Sequence, residues 1–148
     1  MKAKIGATLA KVAYDEVLKH QKEGSTITLT MWYTLVNHKE NTKWDFRATT
    51  PNYKRDKKGN VFRDKKGNLI IKSWDCGLGQ VNMSQCTAES LTPEWAIKKS
   101  IGILAYKNIY FANKEIWMTF KRYNGGGAKA TEYANVCMRF YNQYMKGA

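Results

Sequence analysis

The chain has 148 residues, which favours one domain over two. Its hydrophobic content of 43% is that of a globular protein and excludes a disordered one. No apolar run approaches the roughly 18 residues that a membrane-spanning helix needs. Lys11, Asp15 and Glu16 fall where a signal peptide would need its apolar region, so we expect no signal peptide.

The formal net charge is +13 at pH 7, which restricts the class of binding partner more than the fold. A positive field of this size attracts polyanions, and both nucleic acids and the anionic bacterial envelope qualify. A basic surface that serves only solubility is a third explanation. Charge alone does not separate the three.

Three cysteines are present, Cys76, Cys86 and Cys137. Cys76 and Cys86 could pair, but the default expectation is small buried thiols. Neither a CxxC nor an HExxH spacing occurs, so we expect no zinc site, and nothing indicates another metal or a cofactor.

In chain order, apolar residues at helical spacing predict an amphipathic helix over residues 5–21. Gly24 and Ser25 are typical of a helix end and of the start of the next element. Residues 27–39 are apolar nearly all round, which favours a buried helix that ends near Glu40.

Residues 51–72 have a different character. The hexapeptide Arg-Asp-Lys-Lys-Gly-Asn begins at Arg55 and again at Arg63, and a short apolar stretch follows each copy. Gly-Asn is a turn signal, so this region is predicted to form a small β-hairpin or meander with turns at the two Gly-Asn tips.

The second half is predicted to be helical. Thr92 and Pro93 are typical of a helix start, and the apolar pattern continues to about Phe111. A shorter helix surrounds Trp117, glycines at 125–127 break it, and residues 133–144 form a last amphipathic helix. The predicted fold class is therefore mainly α, of the α+β type, with one β-hairpin.

Three stretches carry candidate chemistry: Lys-Glu-Asn at 39–41, Asp-Cys-Gly-Leu-Gly-Gln-Val-Asn at 75–82, and Arg-Tyr-Asn-Gly-Gly at 122–126. A glutamate at a helix end is ordinarily a solvated carboxylate. The glycine-rich loop lacks the remainder of any phosphate-binding motif, and Tyr-Asn-Gly-Gly is first of all a turn. Each stretch alone is a weak signal.

In this order and spacing, the three stretches resemble the soluble lytic transglycosylases and their goose-type lysozyme relatives. That family carries Glu-Ser, then Gly-Leu-Met-Gln, then Ala-Tyr-Asn. Glu40 matches the catalytic acid, Gly77-Leu78-Gly79-Gln80 the second motif and Tyr123-Asn124 the third. The resemblance extends from about residue 29 to residue 144.

This resemblance implies one lysozyme-like domain over residues 1–148, with the basic hairpin at about 51–72 as an insertion. Asn41 stands where the family usually has serine, and Gly79 where it has methionine. The distance from Glu40 to Gln80 is also longer than the family pattern, and the lysine-rich repeats account for most of the excess.

The implied activity is cleavage of the β-1,4 bond between MurNAc and GlcNAc in peptidoglycan. A lytic transglycosylase uses one carboxyl group, here Glu40, as acid and then as base, and leaves 1,6-anhydro ends. The residues implied to hold substrate are Gln80, Tyr123, Asn124, Gly77, Leu78 and Asn41. The alternative is a hydrolytic goose-type lysozyme, for which Asp75 is the candidate second carboxylate.

The expected partners are peptidoglycan glycan strands and the anionic cell envelope. A basic nucleic-acid-binding protein is less favoured, because no helix shows the one-sided basic face of a recognition helix. An inactive sugar-binding module is a further alternative. Since we expect no signal peptide, we expect an enzyme that reaches the cell wall in a phage virion, at phage lysis or through a secretion apparatus.

Overall fold

The computed structural model describes residues 1–147, apart from the side chain of Ala3. It is 55% helical, with five helices and a three-stranded antiparallel sheet among the described residues, which confirms the mainly α, α+β class. The first helix, α1 (Lys2–Lys22), buries Ala10, Ala13 and Val17 against the rest of the molecule, as its apolar spacing predicts. No helix in residues 1–147 is both long and apolar enough to cross a membrane.

The second helix, α2 (Leu29–Leu35), continues into a π-helical turn (Val36–Glu40). Trp32 and Leu35 are fully buried, which confirms a buried helix that ends at Glu40. The helix begins later than Ser25, because Thr28 is its N-cap and accepts a hydrogen bond from the backbone N–H of Met31 at 3.2 Å. The π-helical turn thus places Glu40, its last residue, half-buried at the edge of the apolar interior.

The sheet consists of β1 (Thr49–Tyr53), β2 (Ile71–Cys76) and β3 (Val81–Met83), in that spatial order. Thr50, Asp75 and Asn82 lie opposite one another across the three strands. Residues at matching positions of neighbouring strands project from the same face, so these three polar side chains form one row.

Residues 54–70 join β1 to β2, and we refer to them as the basic arm. Each hexapeptide copy closes a turn: the side chain of Asp56 accepts from the backbone N–H groups of Lys58 and Asn60 at 2.8 and 2.9 Å. Asp64 accepts from the equivalent groups of the second copy at the same two distances. Turns at both Gly-Asn tips are therefore confirmed.

Three equivalent positions of the basic arm are joined by backbone hydrogen bonds in a closed ring. Phe62 donates to Lys54 at 2.9 Å, Ile70 donates to Phe62 at 3.1 Å, and Lys54 donates to Ile70 at 2.8 Å. These three residues are eight positions apart in sequence, which is the period of the repeat. The ring holds the two turns together at the end of the sheet.

The remaining helices are α3 (Pro93–Tyr110), α4 (Ile116–Asn124) and α5 (Ala128–Lys146), with a short 3-10 turn (Glu89–Leu91) before α3. Helix α3 is central and packs against α1 and α4, while α4 packs against α5. Phe111 was expected inside α3 but follows its end and is 48% exposed.

A disulfide joins Cys76, at the end of β2, to Cys86, with their Cα atoms 5.7 Å apart. The default expectation of reduced thiols is therefore wrong for this pair. Cys137, on α5, is a free thiol and is fully buried, as expected for a small apolar side chain. The disulfide ties the chain on either side of Gln80 and β3.

Candidate active site

A cleft of about 250 Å³ opens where the π-helical turn meets the sheet. The end of a buried helix forms one side, and β1 together with the loop before β3 forms the other. Six of the residues that line it are Glu40, Asn41, Asp45, Ala48, Thr50 and Gln80. A second cavity, of about 610 Å³, shares Asp45 with this cleft and extends the concave surface toward the start of α3.

The carboxyl group of Glu40 is the most strongly perturbed acid at this cleft. Burial raises its pKa from 4.5 to about 7; a hydrogen bond from Tyr133 lowers the pKa, the charge of Asp75 raises it, and Lys39 lowers it. Desolvation penalises the ionised form, which explains the dominant direction. At neutral pH Glu40 is therefore divided between the protonated and ionised forms, as a group that both donates and accepts a proton requires.

Tyr133, on α5, donates its hydroxyl proton to the carboxylate of Glu40. Its side chain is buried, and burial followed by the charge of Glu40 raises the Tyr133 pKa well above its ordinary value. Tyr133 therefore stays a neutral donor. Sequence analysis included it only as the first residue of the last amphipathic helix, over residues 133–144. The available signal was that a buried tyrosine hydroxyl needs a hydrogen-bond partner.

The Gly77–Gln80 segment packs closely against the interior of the protein. A Cβ atom on Gly77 would lie 2.8 Å from the carbonyl oxygen of Ser90, and one on Gly79 would lie 2.2 Å from Cβ of Ser100. Leu78 is fully buried in the core. Neither Gly77 nor Leu78 lines the cleft. Both residues determine the conformation of the loop and do not form part of the cleft wall.

Gln80 lines the cleft, and both polar atoms of its side-chain amide are hydrogen-bonded. Its amide nitrogen donates to the carbonyl of Gly77 at 2.9 Å, and its amide oxygen accepts from the hydroxyl of Thr50 at 2.7 Å. The backbone at Gln80 has a positive φ of 47°. This conformation turns the chain directly into β3.

Tyr123 and Asn124 end helix α4. The hydroxyl of Tyr123 donates to the carbonyl of Gly79 at 2.8 Å, which fastens the end of α4 to the glycine-rich loop. Burial, then the charges of Glu40 and Asp75, raise the pKa of Tyr123 well above its ordinary value, so it too remains a donor. Asn124 is exposed, directly before the glycines at 125–127, and does not line the cleft.

The amide of Asn41 is engaged by the loop that follows it. Its nitrogen donates to the carbonyl of Asp45 at 2.5 Å, and its oxygen accepts from the backbone N–H of Asp45 at 2.9 Å. The side chain is buried, so its observed role is to shape the rim of the cleft beside Glu40.

Asp75 lies on β2, half-buried, in the polar row with Thr50 and Asn82. One of its oxygens accepts from the side-chain amide of Asn82 at 2.8 Å. The charge of Asp75 raises the pKa of Glu40, and it also raises that of Tyr123. A second carboxylate therefore acts electrostatically on the first from the sheet side.

The three predicted stretches thus meet at one site, since Glu40, Gln80 and Tyr123 are linked through the cleft and the glycine-rich loop. Asp75 borders this site, and Tyr133 is an addition that sequence analysis did not identify. Comparisons of the chain with models of protein families, with curated proteins and with solved structures found no match.

Proposed function

We propose that this chain cleaves the β-1,4 bond between MurNAc and GlcNAc in bacterial peptidoglycan, as a lytic transglycosylase with a lysozyme-like fold. The observation that carries the proposal is the carboxyl group of Glu40, which lines an open cleft and has a pKa of about 7. A glycosidase needs such a group, because an acid of ordinary pKa would be ionised at neutral pH and unable to protonate the leaving oxygen.

The proposed reaction uses Glu40 twice. Protonated Glu40 delivers its proton to the glycosidic oxygen as the bond to the anomeric carbon of MurNAc breaks. The C6 hydroxyl of the same MurNAc then attacks the anomeric carbon, and its proton passes to the Glu40 carboxylate. The products are a free hydroxyl on GlcNAc and a 1,6-anhydro ring, and Glu40 is restored without consumption of water.

The surroundings of Glu40 support both steps. Tyr133 stabilises the ionised form by its hydrogen bond, while burial stabilises the protonated form. Gln80 and Thr50 present polar groups at the opposite wall, where sugar hydroxyls require partners. Lys39 and Lys43 line the same cleft, and their charge suits the lactyl and peptide carboxylates of the cell wall.

A hydrolytic lysozyme is the second candidate, because the charge of Asp75 acts on Glu40 from the sheet side. In that reaction the second carboxylate would assist a water molecule or the sugar cation. The products separate the two candidates: mass spectrometry finds 1,6-anhydro ends after transglycosylation and reducing ends after hydrolysis.

We propose that the enzyme acts at the cell wall, carried there by a phage or a secretion apparatus.

The variant Glu40→Gln tests the proposal, since it keeps the shape of the side chain and replaces the acid with an amide that cannot deliver a proton. On purified peptidoglycan, release of soluble muropeptides should fall by a factor on the order of 100 or more. Glu94→Gln is the matched control, because Glu94 is exposed on α3 and forms an ion pair with Lys98. Near-normal muropeptide release by Glu40→Gln would show that Glu40 is not the acid.

A further inference from the structure

The basic arm presents two equivalent pairs of exposed lysines, Lys57-Lys58 and Lys65-Lys66, one pair on each turn. Among the described residues, none of the ion pairs involves the arm; the pairs lie on α1, including its C-cap Glu23, and on α3. The four ammonium groups are therefore available to an external anion.

The two aspartates of the arm do not form ion pairs with these lysines, because their carboxylates are aimed at backbone amides of their own turns. The backbone N–H of Asn60 is the leading cause that lowers the pKa of Asp56, and the N–H of Asn68 does the same for Asp64. Each turn thus uses its acid to close the loop and projects its lysines outward.

The arginines of the arm are also engaged in its architecture. Arg55 donates from Nη1 to the carbonyl of Gly59 at 2.7 Å, and Arg63 donates equivalently to Gly67 at 2.8 Å. A guanidinium fork bound in this way is poorly placed for bidentate contact with a base edge. Phe62 is the single aromatic residue between 54 and 70, so the arm lacks a series of stacking platforms for successive bases.

These features favour a polymer that is recognised by its repeated negative charge rather than by bases. We propose that the basic arm binds a phosphodiester-linked anionic polymer of the cell wall, of the poly(alditol phosphate) class, through its two equivalent turns. The choice of a wall polymer rests on the proposed function, since the arm continues directly into β1 and β2. Those strands carry Thr50 to the cleft and Asp75 to its border.

Two equivalent turns imply bivalent binding. A polymer that engages one lysine pair presents its next phosphates to the second pair at high effective concentration. We therefore expect affinity to rise steeply with polymer length until both turns are occupied, and to fall with salt as counterions are released. Monomeric glycerol phosphate should bind far more weakly than an oligomer.

The test is a binding measurement by fluorescence anisotropy with a labelled glycerol phosphate oligomer and the full chain. Removal of all four lysines (K57Q/K58Q/K65Q/K66Q) should weaken binding about ten-fold or more, and either pair alone by several-fold. The charge-matched control K2Q/K4Q/K22Q/K146Q removes four exposed lysines outside the arm and should change affinity by less than about three-fold. An unchanged Tm of each variant verifies the fold.

Equal weakening by the control would overturn the proposal, because binding would then reflect net charge alone. A DNA strand with the same number of phosphates, bound more tightly and through the arm, would overturn the choice of polymer. The assay contains no glycan, so a failure of Glu40 as catalyst leaves its result intact. Conversely, K57Q/K58Q/K65Q/K66Q should cleave peptidoglycan stripped of anionic polymer at the normal rate.

Discussion

The hydroxyl of Tyr133 donates a hydrogen bond to the carboxylate of Glu40, although 93 positions separate the two residues in sequence. The π-helical turn and α5 pack together and bring the two side chains into contact. Burial favours the protonated form of Glu40, and the hydroxyl favours the ionised form. The pKa of about 7 is the balance of these opposed effects.

Tyr133→Phe should shift the pH dependence of glycan cleavage. Loss of the hydroxyl removes an interaction that lowers the pKa of Glu40, so the pKa rises and the acid stays protonated to higher pH. The alkaline limb of the profile of kcat against pH should move to higher pH, by about one pH unit. Tyr141→Phe is the control, because Tyr141 lies on the same helix but packs against Phe120. An alkaline limb unmoved in Tyr133→Phe would contradict this assignment.

Asp75→Asn should have the opposite effect on the same limb. The negative charge of Asp75 raises the pKa of Glu40, so its removal lowers that pKa and moves the alkaline limb to lower pH. Under the transglycosylase mechanism, kcat at low pH should fall by less than about ten-fold and the products should keep anhydro ends. A loss of about 100-fold or more in an enzyme that produces reducing ends would instead assign Asp75 to hydrolysis.

The raised pKa of Glu40 also predicts a pH dependence of stability. Between pH 4.5 and about 7 the folded state holds a proton that the unfolded state has released, so the free energy of unfolding falls as pH rises and levels off above 7. This loss amounts to about 3 kcal/mol. Glu40→Gln lacks it and should gain stability relative to the natural chain between pH 4 and pH 8.5. Urea unfolding at pH 4 and at pH 8.5 measures the difference in the free energy of unfolding between Glu40→Gln and the unsubstituted chain. The same difference at both pH values would exclude a raised pKa of Glu40.

Gly79→Ala should destabilise the protein, because the added Cβ would lie 2.2 Å from Cβ of Ser100 on α3. The expected cost is about 1–3 kcal/mol, and cleavage should also fall because Gln80 follows directly. Gly102→Ala is the control: its Cβ would meet its nearest neighbour, on His20, at 3.6 Å, and it lies inside a helix. That change should be neutral or stabilising by up to about 1 kcal/mol. A destabilisation by Gly102→Ala as large as that by Gly79→Ala would contradict the prediction.

The helices and the basic arm were predictable from sequence because their signals are local. Apolar spacing determined α1 and the buried helix before Glu40, and each Gly-Asn tip lies within a turn that its own aspartate closes. The three-residue strand β3 has no such signal, since it is defined by its pairing with β2.

Features that depend on distant contacts were not predictable. Tyr133 has the same place in the helical pattern whether or not its hydroxyl meets a carboxylate, so only the packing of α5 on the π-helical turn reveals its role. The pairing of Cys76 with Cys86 depends on a separation in space that spacing in sequence does not give. The substrate contact expected of Asn41 stays a prediction, since Asn41 lines the cleft while its amide is engaged by the backbone of Asp45.

The closed ring of Lys54, Phe62 and Ile70 has a consequence for how this protein can change over evolutionary time. Its members recur every eight residues, so loss or gain of a whole copy brings an equivalent residue to each remaining position. Loss of one copy would leave two such residues, and gain of one copy would supply a fourth, at the same spacing of eight. Duplication or loss of a whole copy is thus the change in length that keeps this pattern, and we expect length differences here to come in steps of eight residues.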